Sequence, residues 1–536
     1  MTTPTRRELL ALSLPVLLSA CGGGGGSPAP LPPASPTPPP NDPITPPPGP
    51  AAVPGWAGYA GNAQHQAQSA VAGQPLQRLL WTTPVDLVPP YRAGGFLLIH
   101  YGSPAISAAN TVLVPVKTSS SGAFRVEARA GADGRLLWQQ DTSYVLPASS
   151  WTPSYNIALD RNSRLYMPES GGRVLLRDAV DQPGGTVRRL AFYGDATYAA
   201  HAAALDAAIF INTPLTVDDA GNLFFGFIAT AGNAAGLSSG FARISAQGQV
   251  STATAAQLAG DSAITQPAMN AAPALSSDQG TLYVVVNTAP TNAVQTGYLL
   301  ALDSATLAVR RRVALVDPRS GQAARVSDSS TASPAVGPDG DVFYGVLDAA
   351  RDDHNGRGWL LHFDATLATS KLPGSFGWDD TPAIVPAGLV GGYGGSSSYL
   401  LLVKYNNYYG AGSGDGRNQM AVLDPNAGQA DRFTPAGTTV TVMQEVLTID
   451  GVTPDPGSVG GVREWCVNTA VVDLPNASVL VNNEDGVLYR WDLRSNRFTE
   501  SLRLNAGVGQ AYTPTLIGPD GIVYSINNAT LNAVGR

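Results

Sequence analysis

The feature that most constrains the fold is a hairpin-sized unit that recurs along the chain. A small residue precedes Pro, an apolar pair follows, then a polar turn, then a strand that ends in an aromatic. The clearest copy is Ser333-Pro334-Ala335-Val336-Gly337-Pro338-Asp339-Gly340-Asp341-Val342-Phe343-Tyr344. Thr513-Pro514-Thr515-Leu516 runs likewise into Pro519-Asp520-Gly521-Ile522-Val523-Tyr524. Thr213-Pro214 leads to Gly221-Asn222-Leu223-Phe224, Ala272-Pro273 to Gly280-Thr281-Leu282-Tyr283, and Thr152-Pro153 to Arg164-Leu165-Tyr166. Ser103-Pro104-Ala105-Ile106 and Thr381-Pro382-Ala383-Ile384 are looser copies, and Thr469-Ala470-Val471-Val472 lacks the Pro. That makes eight.

Each part of the unit has a physical reason. Pro loses no ladder hydrogen bond at the first position of a strand, and Asp-Gly supplies the positive φ of a tight hairpin. The apolar strand after the turn is nearly continuous in hydrophobicity, as for an element buried on both faces. Second half-units follow, such as Tyr298-Leu299-Leu300-Ala301-Leu302-Asp303 and Leu488-Tyr489-Arg490-Trp491-Asp492. Four strands repeated eight times predict one all-β propeller of eight four-stranded blades over residues 55–536. Composition agrees: charged residues are only 13%, about half the usual share, with 59 Gly and 43 Pro. A net charge of −8 without a basic block excludes nucleic acid as a partner, since phosphates need a basic face.

The first 54 residues read differently. Arg6 and Arg7 precede an apolar run, 9–20, too short to cross a hydrocarbon core of about 30 Å and therefore a secretion signal. Leu18-Ser19-Ala20-Cys21 resembles the lipobox of bacterial lipoproteins, which implies a leader over 1–20, acylation of Cys21 and a membrane anchor. Thr5-Arg6-Arg7-Glu8-Leu9-Leu10 is similar to a twin-arginine signal, although two Arg would serve ordinary export equally. Residues 21–54, Gly- then Pro-rich, have nothing to bury and are expected to be a disordered tether. Gly22 rather than Asp after Cys21 fits outer-membrane sorting, facing the periplasm or the cell surface.

Residues 128–138, with Gly134 ahead of Trp138, resemble the tryptophan-docking motif A-x-D-x-x-T-G-x-x-x-W of quinoprotein (PQQ-type) propellers. Ala130 stands where that motif has Asp, and Asp133 where it has Thr. Ala301-Leu302-Asp303 with Thr306 matches its front half, and Trp56-Ala57-Gly58-Tyr59-Ala60-Gly61-Asn62 is similar to the superfamily's entry segment. The resemblance spans 55–536 and implies that residues 76–83 close the ring by joining the last blade near 531–534.

The same resemblance implies PQQ with Ca²⁺ in members that are enzymes, and many of those carry adjacent cysteines over the cofactor. The only cysteines here are Cys21 and Cys466, so acylation of Cys21 leaves no intramolecular disulfide. His65, His100, His201, His354 and His362 show no ligand spacing and read as surface or structural residues. Asp352-Asp353-His354-Asn355-Gly356 reads as a solvated turn rather than a cation loop. No catalytic or metal residue is assigned.

A binding rim is assigned instead. The residues just ahead of each inner strand should gather at the mouth of the central funnel: His100, Tyr101, Trp151, Asn212, Asn270, Trp378, Asp379, Asp380, Glu464, Trp465, Gln510 and Tyr512. Aromatic rings with amides and carboxylates suit a sugar, peptide or polar polymer, although any wet concavity is also lined this way. The Tyr/Asn/Gly-rich stretch 393–418 is expected to be a partner-binding loop over that rim or an embellished turn. Two functional readings follow. One is a monomeric, non-catalytic envelope lipoprotein without cofactor that binds a protein or polysaccharide through its funnel face. The other is a PQQ-dependent oxidoreductase, or another enzyme, with its site in the funnel.

Overall fold

The computed structural model describes residues 55–536 apart from 92–96, 98–100, 121, 148–154, 290–293, 351–356, 412–413, 435–437, 466, 468 and 508–513. The leader, Cys21, the tether, His100, Trp151, His354, Cys466, Gln510 and Tyr512 therefore lie outside the described residues. Eight sheets follow one another around the ring as eight blades. Their inner strands are Ala105–Ile106, Ala158–Leu159, Thr216–Val217, Ala274–Leu275, Ala335–Val336, Ala383–Pro386, Val471–Asp473 and Leu516–Ile517, which define blades 1 to 8.

Burial falls from axis to rim, and the sequence pattern changes with it. In blade 5, Ala335–Val336 and Val342–Val346 are buried throughout. The outermost strand of blade 7, Arg497–Arg503, alternates exposed and half-buried residues. Inner strands thus carry unbroken apolar runs and outer strands the period of two that a half-solvated face requires. The Asp-Gly turns behave as the sequence demands: Gly340 has φ 90° and Gly521 φ 82°, values that a Cβ disfavours.

Ring closure falls at the expected place. Arg78–Pro84 pairs antiparallel with Thr530–Gly535, placing Leu79 opposite Val534 and Thr83 opposite Leu531. The docking motif works between blades. Trp138 donates its indole N–H to Val180 O in blade 2 at 2.7 Å, with the Arg177 guanidinium over its ring. Trp81, on the closing strand, donates to Gly131 O at 2.8 Å and lies on Gly134, where a Cβ would sit 2.5 Å from the indole.

In blade 2 Asn156-Ile157 precedes Ala158–Leu159, and the Asn156 side chain accepts the Ser103 N–H, while Thr152-Pro153 lies outside the described residues. One expectation needs correction. The stretch 393–418 is not a loop over the rim. Its centre, Tyr399–Tyr405, is the second strand of blade 6, buried along its whole length because its apolar run matches the other second strands. The blades are four-stranded as expected, with local variation: in blade 5 the fourth strand is reduced to isolated bridges at Ser370 and Gly374. Blades 3, 4 and 7 each gain one, Ile209–Ile211, Ile264–Pro267 and Gln68–Ser69. No described helix is long and apolar enough to cross a membrane.

Candidate functional site

The axis of the ring is filled by the chain's own entry segment. The second residue of the inner strand in blades 1, 2 and 4 to 7 donates its backbone N–H to it in order: Ile106 to Trp56 O, Leu159 to Ala57 O, Leu275 to Ala63 O, Val336 to Gln64 O, Ile384 to Gln66 O and Val472 to Ala67 O. Leu474 then donates to Ser69 O, and Gln74 donates to Gly521 O in blade 8. From Gln64 onward the segment advances about two residues per blade, and alternate side chains use that period. Gln64 Nε2 donates back to Ser276 O, Gln66 Nε2 to Val336 O and Gln68 Nε2 to Ile384 O, each at 2.8–3.2 Å. The Gln-x-Gln-x-Gln alternation, Gln64 to Gln68, is the sequence signal of this arc. A β-type period of two in a segment with no apolar face points to a strand held by its polar edge.

Two side chains of the arc fill its centre. Tyr59, 5% exposed, donates its hydroxyl to Thr331 O at 3.0 Å and shares a 2.8 Å hydrogen bond with Thr381 Oγ1. The Tyr59 backbone lies beside blade 2, since a Cβ on Gly58 would meet Ile157 O and Ala158, so the ring spans the axis to blades 5 and 6. His65 packs edge-on against it with centroids 5.1 Å apart, its Nδ1 2.7 Å from Pro334 O. Burial pushes the His65 pKa down to about 4, so the ring is neutral at ordinary pH, and pushes the Tyr59 hydroxyl up.

Beyond the arc lies a ring of residues at one station, the fourth ahead of the inner strand: Asn212, Asn270, Thr331 and Asp379 in blades 3 to 6. Neighbours in it touch. Asn270 N–H donates to Asn212 O at 2.8 Å, and Thr331 donates through N–H and Oγ–H to Asp379 Oδ1 at 2.8 and 2.6 Å. Ser333 links the two halves, donating its hydroxyl to Asn270 O at 3.4 Å and its N–H to Thr381 Oγ1 at 2.9 Å. Lys404, at the end of the second strand of blade 6, sets its ammonium 3.6 Å from Asp379 Oδ2, both side chains 3% exposed. Its backbone N–H donates to Asp380 Oδ2 at 3.2 Å. Burial raises the Asp380 carboxyl to about 7; Lys404 opposes that shift and Asp379 adds to it.

The sequence-assigned rim therefore divides. Asn212, Asn270, Asp379 and Asp380 join one axial network and are buried, not lining an open mouth. Tyr101, at the same station in blade 1, turns to a separate buried pair, donating to Asp86 Oδ2 at 3.1 Å beside Lys117. Trp465 is buried and clamped by Asn406, which donates to Trp465 O and accepts its N–H, both at 3.0 Å. Glu464 uses its backbone carbonyl to accept the Glu484 N–H. Trp378 is half-buried and donates its N–H to Arg357 O. Tyr59 and Lys404 were missed: one sat in what read as an entry segment, the other is a lone cation inside an apolar strand.

Eight blades, closure by an N-terminal strand and tryptophan docking between blades define an eight-bladed β-propeller. Solved structures that share it include a europium-containing methanol dehydrogenase, 12% identical over 87% of this chain and 89% of that one, with a TM-score of 0.47. Others are BamB from Moraxella catarrhalis (12% identity, 86% and 99% coverage, TM-score 0.42) and a quinohemoprotein alcohol dehydrogenase from Comamonas testosteroni (12%, 91% and 82%, 0.48). At such identity the likeness is one of fold alone. No family model matches the chain, and no curated protein matches it.

Proposed function

We propose that this chain is an exported lipoprotein, acylated at Cys21, whose propeller binds an envelope protein or polysaccharide through the face opposite its Asp-Gly turns, without catalysis and without a resident cofactor. The observation that carries the reading is the occupied axis: the chain's own residues 56–69 take the inner-strand hydrogen bonds and fill the centre with Tyr59 and His65. Such a ring is a rigid scaffold whose variable parts are the loops at the mouth.

The donor chemistry also speaks against a quinone with its Ca²⁺. The carboxylates at the ring station already have counter-charge and donors in Lys404 and Thr331. Among the described residues no group of three His, Cys, Asp or Glu stands close enough to hold an ion. These residues do not fit that cofactor. Reconstitution of the purified chain with PQQ and Ca²⁺ tests the reading: the expected result is no retained quinone absorbance and no dye reduction with alcohols. A retained, catalytically competent quinone would overturn it. For the anchor, labelled palmitate should enter the wild type and not Cys21→Ser.

A further inference from the structure

The arc skips one blade. Between the bond from Leu159 in blade 2 and the bond from Leu275 in blade 4 it turns on itself, with Ala57 N–H donating to Gly61 O at 3.0 Å and Gly61 N–H to Gly58 O at 3.2 Å. In blade 3 the equivalent donor is Val217, the second residue of the inner strand. Asp218 N–H donates to Asn222 O, and in an antiparallel ladder the neighbouring residue then turns its N–H outward, as Val336 does toward Gln64 O in blade 5. Among the described residues nothing accepts the Val217 N–H. A cleft of about 250 Å³, counted with its open mouth, lies at this place. Asn62 is exposed at its rim, and Ala63 and Val217 are half-buried there, so solvent reaches it. Tyr59 and His65 line it from the buried side. His65 Nδ1 faces Pro334 O in blade 5 and so carries the proton of the neutral ring, which leaves Nε2 an acceptor without a donor among the described residues.

We propose that this notch binds an extended segment of a partner protein edge-on, through the backbone of a single residue. An extended residue turns its C=O and N–H to the same edge. The C=O takes the Val217 N–H, as arc carbonyls take the matching N–H in six other blades at 2.7–3.0 Å, and the N–H is turned to the His65 side of the cleft. A free strand N–H is a template for such pairing. The cleft is below the range of about 300–1,000 Å³ that encloses small ligands, so it admits an edge rather than a whole molecule. No charged side chain lines it, which favours a neutral backbone over an ionic group. The chain's own residues 22–54 are a poor occupant, since their many Pro lack the N–H that His65 accepts. The notch sits at the turn end of the axis, away from the mouth, so this inference goes beyond the scaffold reading and stands on separate atoms.

The test is titration of the full chain, isotope-labelled at histidine, with the capped and uncharged peptide N-acetyl-Ala-Ala-Ala-N-methylamide, followed by NMR at the His65 Nε2 resonance. The expected result is a saturable shift in the wild type and roughly two- to tenfold weaker binding by Val217→Pro, which removes the N–H and no ladder bond. Ala63→Leu, which fills the rim of the cleft, should show no saturable shift. Either variant decides if the other fails to fold. No saturable shift in the wild type, or wild-type affinity in a folded variant, overturns the inference and leaves both atoms to water. The two readings fail separately: loss of the scaffold reading shows as a retained, working quinone, which this titration does not detect.

Discussion

Asn270 and Asp379 occupy the same station in blades 4 and 6, with nearly the same left-handed backbone, and they have opposite surroundings. Asp379 is held by Thr331 and Lys404; the Asn270 side chain is held by nothing. A repeat fold imposes the backbone on both positions, while the side-chain chemistry around them diverges freely. One has become part of the scaffold. The other keeps a buried amide without a side-chain hydrogen bond. A non-glycine residue at positive φ carries strain of order 1 kcal/mol; at Asp379 two side-chain hydrogen bonds and an ion pair offset it, and at Asn270 no side-chain hydrogen bond does, only those of its backbone with Asn212 and Ser333.

The largest effect should come from breaking the satisfied side. Asp379→Gly keeps the backbone comfortable but leaves the Lys404 ammonium buried beside only Asp380, and it deprives Thr331 of its acceptor. Loss of one partner of a buried pair costs about 3–5 kcal/mol, read as a lower urea midpoint at unchanged slope. A midpoint within error of wild type would mean that Lys404 reaches water.

The next effect is one of pH. Asp380 titrates near 7 in the folded chain, against an ordinary carboxyl near ~4. The native state therefore keeps a proton that the unfolded chain releases. From this group, stability is highest below pH ~4, declines as pH rises to about 7 and is flat above. His65 works oppositely between about 4 and ~6.5, because its folded pKa is depressed and the unfolded chain binds the extra proton. The two slopes partly cancel in the wild type. Asp380→Asn should expose the His65 slope, with stability rising from pH 4 to 6.5, as followed by urea midpoints across that range; a profile parallel to wild type would show Asp380 ionised throughout.

Smaller still is Tyr59→Phe, which keeps the ring across the axis and removes its hydroxyl. Thr381 Oγ1 and Thr331 O each lose a partner, for a loss of about 1–3 kcal/mol. A change confined to binding, with stability untouched, would show that the arc contributes nothing to holding blades 5 and 6 together.

How much of this was legible follows from what repeats and what does not. The inner hairpins were readable because Pro, Asp-Gly and the aromatic strand end obey local rules. Tyr399–Tyr405 was mistaken for loop because its flanks, Tyr393 to Ser398 and Asn406 to Asp415, are rich in turn formers, although the strand itself is apolar. The rim residues were placed by counting back from Pro. That found the station but not the direction of each side chain, so Tyr101 turns to Asp86 while Asp379 joins the axis. Tyr59 acts through partners 272 and 322 residues away, and Lys404 through the Asp379-Asp380 pair on another strand of its blade, which no local pattern reveals.

The smallest effect has the opposite sign from the first, and for that reason discriminates best. Asn270→Gly removes a side chain with no partner from a backbone that glycine adopts freely, so it should stabilise the apo-protein by about 0.5–1 kcal/mol. The partner substitution at Asp379, in the same conformation, destabilises. If both lower the urea midpoint, the Asn270 amide has protein or water partners that hold it as firmly as Thr331 holds Asp379, and the asymmetry of the ring disappears. If Asn270→Gly raises the midpoint, the left-handed asparagine is kept at the expense of stability. Strained polar groups at functional stations have that signature.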